Sequence, residues 1–285
     1  MKRLATRLLR GALRRSVSRL LPVGVRDALR VHQALVRREQ HAETIEPPSG
    51  RVVVLAPHPD DEAFGCGGTL ARASAQGANV HVVFMTDGAR GYDPARLAGA
   101  DAAAVAAFEA ALRGTRRAEA AAAGQVLGLA EPVFLDLPDG GLRGHPEAVP
   151  RLAEALSTLR PDVVMLPWFA DPHPDHWATV AAFHRAAKQA GLPASTPCWG
   201  YEVWSPMVAN AFVDIGASFD AKQAAMMEHR SQLADVDYMR VINGLSAYRS
   251  LAAGFSHGHA EAFFVETLDV HARLFDQAWP GEERR

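Results

Sequence analysis

Two short stretches concentrate the reactive side chains: His58-Pro59-Asp60-Asp61-Glu62 and Asp171-Pro172-His173-Pro174-Asp175-His176. Each directly follows an apolar run that reads as a buried strand, over 52–56 and 162–167. Adjacent carboxylates repel, so Asp60, Asp61 and Glu62 need something to offset them. The options are a metal ion, a phosphate-bearing ligand held by glycines, or water. Two histidine-proline-acid motifs at equivalent strand ends favour the metal. Ligands of open parallel sheets bind beyond the carboxyl ends of strands, so both motifs could meet in one crevice. Two imidazoles and one carboxylate around a divalent ion leave a fourth position for water, the pattern of a catalytic zinc site. Pro59 and Pro174 stiffen the loops that present them. Asp175 fits as an acid that orients an imidazole. Glu62 is either a similar support or a solvated loop charge. Gly65, Gly67 and Gly68 do not have the dinucleotide-binding spacing. They read as a tight turn with close backbone approach, and Cys66 reads as a small packed residue.

The elements that must hold these motifs alternate. Strands are expected at 52–56, 80–86, 132–137 and 162–167. Helices are expected at 68–76, at 97–127 with a break near Gly114, at 147–159 and at 177–190. That alternation predicts a mostly parallel sheet covered on both faces. Later, 198–204 and 210–215 read as further strands, antiparallel and at an edge. A helix over 222–233, a final helix near 244–255 and a short strand near 259–268 complete the pattern.

A length of 285 residues suits one large domain with an appendage. The net charge of -2 gives no case for nucleic acid. Two distant cysteines, Cys66 and Cys198, argue for a reducing compartment. Residues 1–46 carry eleven Lys and Arg against four acids. Leu9, Leu13, Val17 and Leu20 share one helical side beside Arg3, Arg7, Arg10 and Arg14. Such an arm lies on an anionic membrane surface through residues 1–40, or packs on its own domain or a partner subunit. Its Arg-rich, acid-poor composition is also that of organelle transit peptides. The expected location is the cytoplasm, with peripheral membrane contact as the added alternative.

The stretch 56–71, "APHPDDEAFGCGGTLA", followed by "HPDH" at 173–176, resembles the LmbE-like deacetylases, the PIG-L family of zinc-dependent N-acetylglucosaminyl deacetylases. "TDGARG", "RRAEAAAAGQVLG", "LPDGGL", "YEVW" and "KQAAMMEHRSQ" extend the similarity over roughly 50–265. The resemblance implies an α/β fold, a Rossmann-like three-layer sandwich around a mostly parallel sheet. It makes residues 50–275 the deacetylase domain, and 1–46 a basic helical arm outside it. It implies one zinc ion per chain, or another divalent metal, held by His58, Asp61 and His176. Asp60 becomes the general base, and His173 a charged helper at the oxyanion. The implied activity is removal of an N-acyl group, acetyl by preference, from an amino-sugar substrate.

Arg90, at the end of the second strand, suits a sugar hydroxyl or phosphate. Asp139 binds a sugar hydroxyl or makes its turn. His229 lies in the stretch resembling the family's histidine-serine-glutamine segment and approaches the pocket or packs. His145, His184 and His271 read as ordinary. Two other classes stay open: a metal-dependent phosphoesterase, and a non-catalytic sugar-binding relative of the same fold.

Overall fold

A computed structural model describes residues 23–279. The helices are α1 (Val23–Glu39), α2 (Asp61–Ala75), α3 (Ala102–Val126), α4 (Ala148–Leu159), α5 (Pro174–Gln189), α6 (Phe219–Glu228), α7 (Arg230–Leu233), α8 (Tyr238–Ala252) and α9 (Leu268–Ala278). The strands are β1 (Glu43–Thr44), β2 (Arg51–Ala56), β3 (Asn79–Thr86), β4 (Val133–Leu137), β5 (Val163–Pro167), β6 (Pro197–Tyr201), β7 (Ala211–Asp214) and β8 (Ala260–Thr267). They form one eight-stranded sheet in the order β1-β7-β8-β6-β5-β2-β3-β4. β2 has no polar alternation because it lies in the middle of the sheet: Val52 through Ala56 are completely buried. It pairs in parallel with β3 and β5. Helices α4 and α5 pack together, and α6 packs on both α2 and α3, giving the three-layer α/β arrangement.

The far half of the sheet departs from the sequence expectation. β6 is interior and parallel to β5, not an antiparallel edge strand. Only β8 runs antiparallel to its neighbours, between β6 and β7. The edge strand is β1, which pairs in parallel with β7. It comes from the segment read as an arm, and α1 packs against α9. The amphipathic helix expected around Leu9 to Leu20 lies outside the described residues. No described helix is long and apolar enough to cross a membrane.

Both chemical motifs begin helices rather than precede them. α2 starts at Asp61 and α5 at Pro174, well before the expected 68 and 177. Asp61 and Glu62 occupy the first turn of α2, where the helix dipole favours negative charge. Proline is tolerated at the first position of α5 because its missing N–H has no helical partner there. Gly65 and Gly68 form no turn; they lie inside α2. A Cβ on Gly65 would meet the Tyr201 ring at 2.5 Å, and one on Gly68 would meet Ile215 at 2.8 Å. The helix kinks at Cys66, whose φ is -144°. There Gly68 N–H donates to Glu261 Oε1 (3.0 Å), and the Phe64 carbonyl accepts from Lys222 Nζ (2.9 Å). In an unbroken helix those two backbone groups would bond to each other. Elsewhere α3 runs unbroken through Gly114, and the segment expected as one helix over 222–233 is split at His229.

His184 and His271 join α5 to α9 through ring nitrogens 3.0 Å apart. Burial depresses the pKa of both, His271 to about 4. The unfolded chain therefore binds protons that the folded chain refuses once the pH drops below the ordinary histidine value. Stability is fully present above about pH 6.5 and falls as the pH is lowered toward 4, His271 alone contributing about 3 kcal/mol of that loss. Urea unfolding at pH 7 and pH 4.5 should show the drop, and His271→Leu should flatten it. Identical pH dependence in the two proteins would remove the pair from the account.

Candidate active site

β2 and β5 are neighbours, and the chain departs from them in opposite directions, through β3 and β4 on one side and β6 on the other. A crevice opens at such a switch point beyond the carboxyl ends of the strands. His58 follows β2 and His173 follows β5, so both motifs face that crevice.

His58 is central. Its Nδ1 lies 3.1 Å from Asp61 Oδ2, and its Nε2 lies 3.4 Å from both Asp139 Oδ1 and Asp175 Oδ2. Asp61 Oδ2 accepts from the His58 backbone N–H (2.8 Å) and lies 3.3 Å from His176 Nε2. His176 Nδ1 is 3.4 Å from Asp171 Oδ1. The His176 ring is completely buried, yet neither of its nitrogens makes a hydrogen bond. Leaving such groups unmade is costly, so they call for a partner. Donor atoms bound to one tetrahedral zinc lie about 3.3 Å apart, given bond lengths of about 2.0–2.1 Å. The two imidazole–carboxylate separations at Asp61 Oδ2, to His58 Nδ1 and to His176 Nε2, fit that spacing, so these three residues could share a divalent ion. Two different groupings have all their donors within 4.8 Å of one another: His58, His173 and His176, and His58, Asp139 and Asp175. In those, His173 Nδ1 already accepts the Asp175 N–H, and Asp175 accepts the N–H groups of Gly140 and Leu142.

The field of the site favours a cation. Burial works against charge on His58, but Asp139, Asp175 and Asp61 outweigh it and push its pKa well up. Burial likewise opposes charge on His176, yet Asp61 and Asp171 raise it to about 9. For Asp139, the facing His58 overcomes desolvation and draws the carboxyl down to about 2. Acids packed this closely hold positive charge at their centre, and a dication supplies it.

Asp60 is held apart from this cluster. Its Oδ2 receives Arg116 Nη2 at 2.9 Å. Arg116 projects from α3 and is itself buried, donating to the carbonyls of Gly88 (2.9 Å) and Pro59 (3.2 Å). A Cβ on Gly91 would stand 2.2 Å from Arg116 Nη1, so the glycines of 88–91 make room for the guanidinium. The sequence reading assigned Arg116 no role. A signal existed: Leu112, Arg116 and Ala120, spaced four apart, form the buried stripe of α3, so an arginine falls on an apolar face.

His173 caps α5. Because its Nδ1 accepts the Asp175 N–H (3.2 Å), its proton sits on Nε2. Burial, with His58 and His176 nearby, lowers its pKa. The cap therefore leaves Nε2–H as the donor that His173 presents. Asp175 contacts His58 and so can fix that ring's tautomer.

The remaining expected contacts divide. Asp139 lines the cleft, but its carboxylate faces His58 and the Arg90 N–H (2.8 Å). The Arg90 side chain stands at the exposed lip, 3.7 Å from Glu109. His229 is fully buried and does not line the cleft. It packs 3.7 Å from the equally buried Glu62, whose pKa burial raises. Glu62 is thus no solvated loop charge, and His229 packs on Glu62 and the Phe64 ring instead of lining the cleft. The cleft encloses about 530 Å³. Trp204, Gln232, Asp235 and Tyr238 also line it, and sequence reasoning missed all four.

Residues 53–187 match the family described as PIG-L, GlcNAc-PI de-N-acetylase. The diacetylchitobiose deacetylase of Thermococcus kodakarensis is 30% identical over 245 residues, covering 78% of this chain and 85% of the relative. The conserved protein TT1542 of Thermus thermophilus superposes with a TM-score of 0.61 at 32% identity, covering 75% of this chain and 93% of that one. The 4-carboxy-2-hydroxymuconate hydratase of Pseudomonas putida superposes with a TM-score of 0.60 at 26% identity, covering 76% and 96%. With its two motifs meeting at the switch point of the same fold, this chain belongs to the PIG-L family.

Proposed function

We propose that the protein is a zinc-dependent N-deacetylase that hydrolyses the acetamido group of an amino-sugar substrate, releasing acetate and a free amine. The observation that carries this reading is the buried, hydrogen-bond-free His176 ring beside Asp61 and His58, with Asp60 held separately by Arg116. His58, Asp61 and His176 hold the ion. When bound, it polarises the amide carbonyl and lowers the pKa of a water molecule to about 7.

The protein's own groups do the rest. Asp139 and Asp175 keep the His58 proton on Nε2, which leaves Nδ1 free to ligate. Asp60 accepts the proton of the attacking water and returns it to the departing nitrogen. The guanidinium of Arg116 keeps that carboxylate aimed into the cleft instead of folded onto the ligand set. His173 donates its Nε2–H to the amide oxygen as negative charge develops there.

The similarity to a named diacetylchitobiose deacetylase supports this reaction over phosphoester hydrolysis or sugar binding without turnover. The similarity to a hydratase supplies a second reading, since a base beside a bound cation could also add water to a carbon–carbon double bond. One experiment separates them. Zinc-loaded protein is given N-acetylglucosaminides and, in parallel, unsaturated dicarboxylic acids, with metal content measured on the same sample. Acetate and amine in equal amounts, with one metal per chain, are expected. Hydration of the acids without amine release would transfer the assignment to the second reading.

A further inference from the structure

We infer that the open end of the cleft is an apolar subsite, and that the substrate carries an alkyl or aryl aglycone beside its N-acetylated sugar. This rests on the deacetylase reading above and names the substrate class it leaves open.

The cleft lining is of two kinds. Beside the reactive groups His58, Asp60, Asp61 and His173 stand the polar side chains of Arg90, Gln232 and Asp235. Val203, Trp204, Val236, Tyr238, Val241 and Ile242 supply an apolar part. Trp204 is 51% exposed, Val236 44% and Val241 49%. Single exposed apolar residues need no explanation, but a cluster at the mouth of a site does. Among the described residues, six of the ten exposed large apolar side chains fall between 204 and 251. The patch extends outward along α8. Val241, Tyr248 and Leu251 share one helical face, and ten residues of helix span about 15 Å. Tyr248 is 59% and Leu251 70% exposed. Exposed apolar side chains therefore recur beyond the cleft along the outer face of the helix.

The backbone that carries Trp204 is anchored. The backbone N–H of Trp204 donates to Asp171 Oδ2 (3.0 Å), the acid whose other oxygen faces His176. Two residues earlier, Glu202 pairs with Arg249 of α8 through both nitrogens of its fork and accepts the Met207 N–H (2.6 Å). The indole lies 18° from parallel to the His173 ring at 6.3 Å, and edge-on to Tyr238 at 5.9 Å. A group stacked on Trp204 is thus placed beside the donor that serves the reacting carbonyl. A hydroxylated aglycone on the apolar part would forfeit hydrogen bonds to water without replacing them. Sugar hydroxyls have Arg90, Gln232 and Asp235 in the same cleft.

Methyl and hexyl N-acetylglucosaminides, used below micellar concentrations, test the subsite. Amine release is followed with the zinc-loaded full chain, its Trp204→Ala variant and its Val241→Ser variant. Binding of both glycosides to Asp60→Asn protein is measured by calorimetry. The expected result is a KM and a Kd for the hexyl glycoside at least about tenfold below those for the methyl glycoside, the gain from partly burying five added methylenes. Each variant should bring that ratio toward one. Equal values for the two glycosides in the unaltered chain would overturn the subsite and leave deacetylation standing. Amine release from neither glycoside would instead overturn the deacetylase reading. A ratio that survives both substitutions would overturn the assignment to these residues.

Discussion

Asp60→Asn lowers kcat by about 10²–10⁴-fold while zinc content stays at the value of the unaltered protein and the chain still folds, the effect of removing a positioned general base. Asparagine keeps an oxygen where Arg116 Nη2 donates (2.9 Å), so the buried guanidinium is not orphaned and the loop keeps its shape. What it cannot do is accept a proton. The test is a single preparation assayed for turnover, metal and urea unfolding. Near-normal kcat would refute Asp60 as base. Loss of metal would show instead that Asp60 belongs to the ligand set.

Arg116→Lys extends the same argument. One ammonium cannot serve the Asp60 carboxylate and the carbonyls of Gly88 and Pro59 together, because those contacts use a planar fork. Its kcat should fall by more than tenfold with little change in KM. Added to Asp60→Asn it should cost almost nothing further, since the two residues act as a unit.

The second large effect is on stability. Lys222→Met should cost about 3–5 kcal/mol, the penalty of breaking a buried ion pair by removing one partner. Lys222 Nζ lies 2.5 Å from Glu261 Oε1, and both side chains are buried. Glu261 also accepts the N–H groups of Gly68 and Thr69 (3.0 and 2.7 Å), so the carboxylate has no route to water. The pair bridges the kink in α2, taking the place of helical bonds that the Cys66 backbone breaks. Losing it should also loosen the first turn of α2, which carries Asp61. Zinc affinity should weaken along with the unfolding midpoint. A midpoint shift worth under about 1 kcal/mol would mean that the brace is replaceable by packing.

Local chemistry was legible in the chain. A buried strand, a proline and a run of acids lie within a dozen residues at 52–62, and a strand followed by a second His-Pro-Asp motif returns at 163–176. That contiguity is enough to place both histidine motifs at strand ends, to favour a metal over a phosphate, and to identify a mostly parallel α/β fold. The helix starts were missed by seven residues at α2 and three at α5, because the acids and proline that look like loop signals are also good first-turn residues.

Linear order therefore settles the inventory of the site and the ends of the elements that carry it. What those groups face is settled only when the sheet assembles. Strand order made β2 and β5 neighbours, which brought His58 and His176 onto one Asp61 oxygen. It set Arg116, far along the chain from Asp60, against that carboxylate, and placed Trp204 over His173. It also buried His229 against Glu62, where neither meets solvent. Each of these outcomes depends on a contact between segments distant in the chain. Local patterning fixes which face of an element is buried, but the partner on that face is set by how the whole sheet assembles.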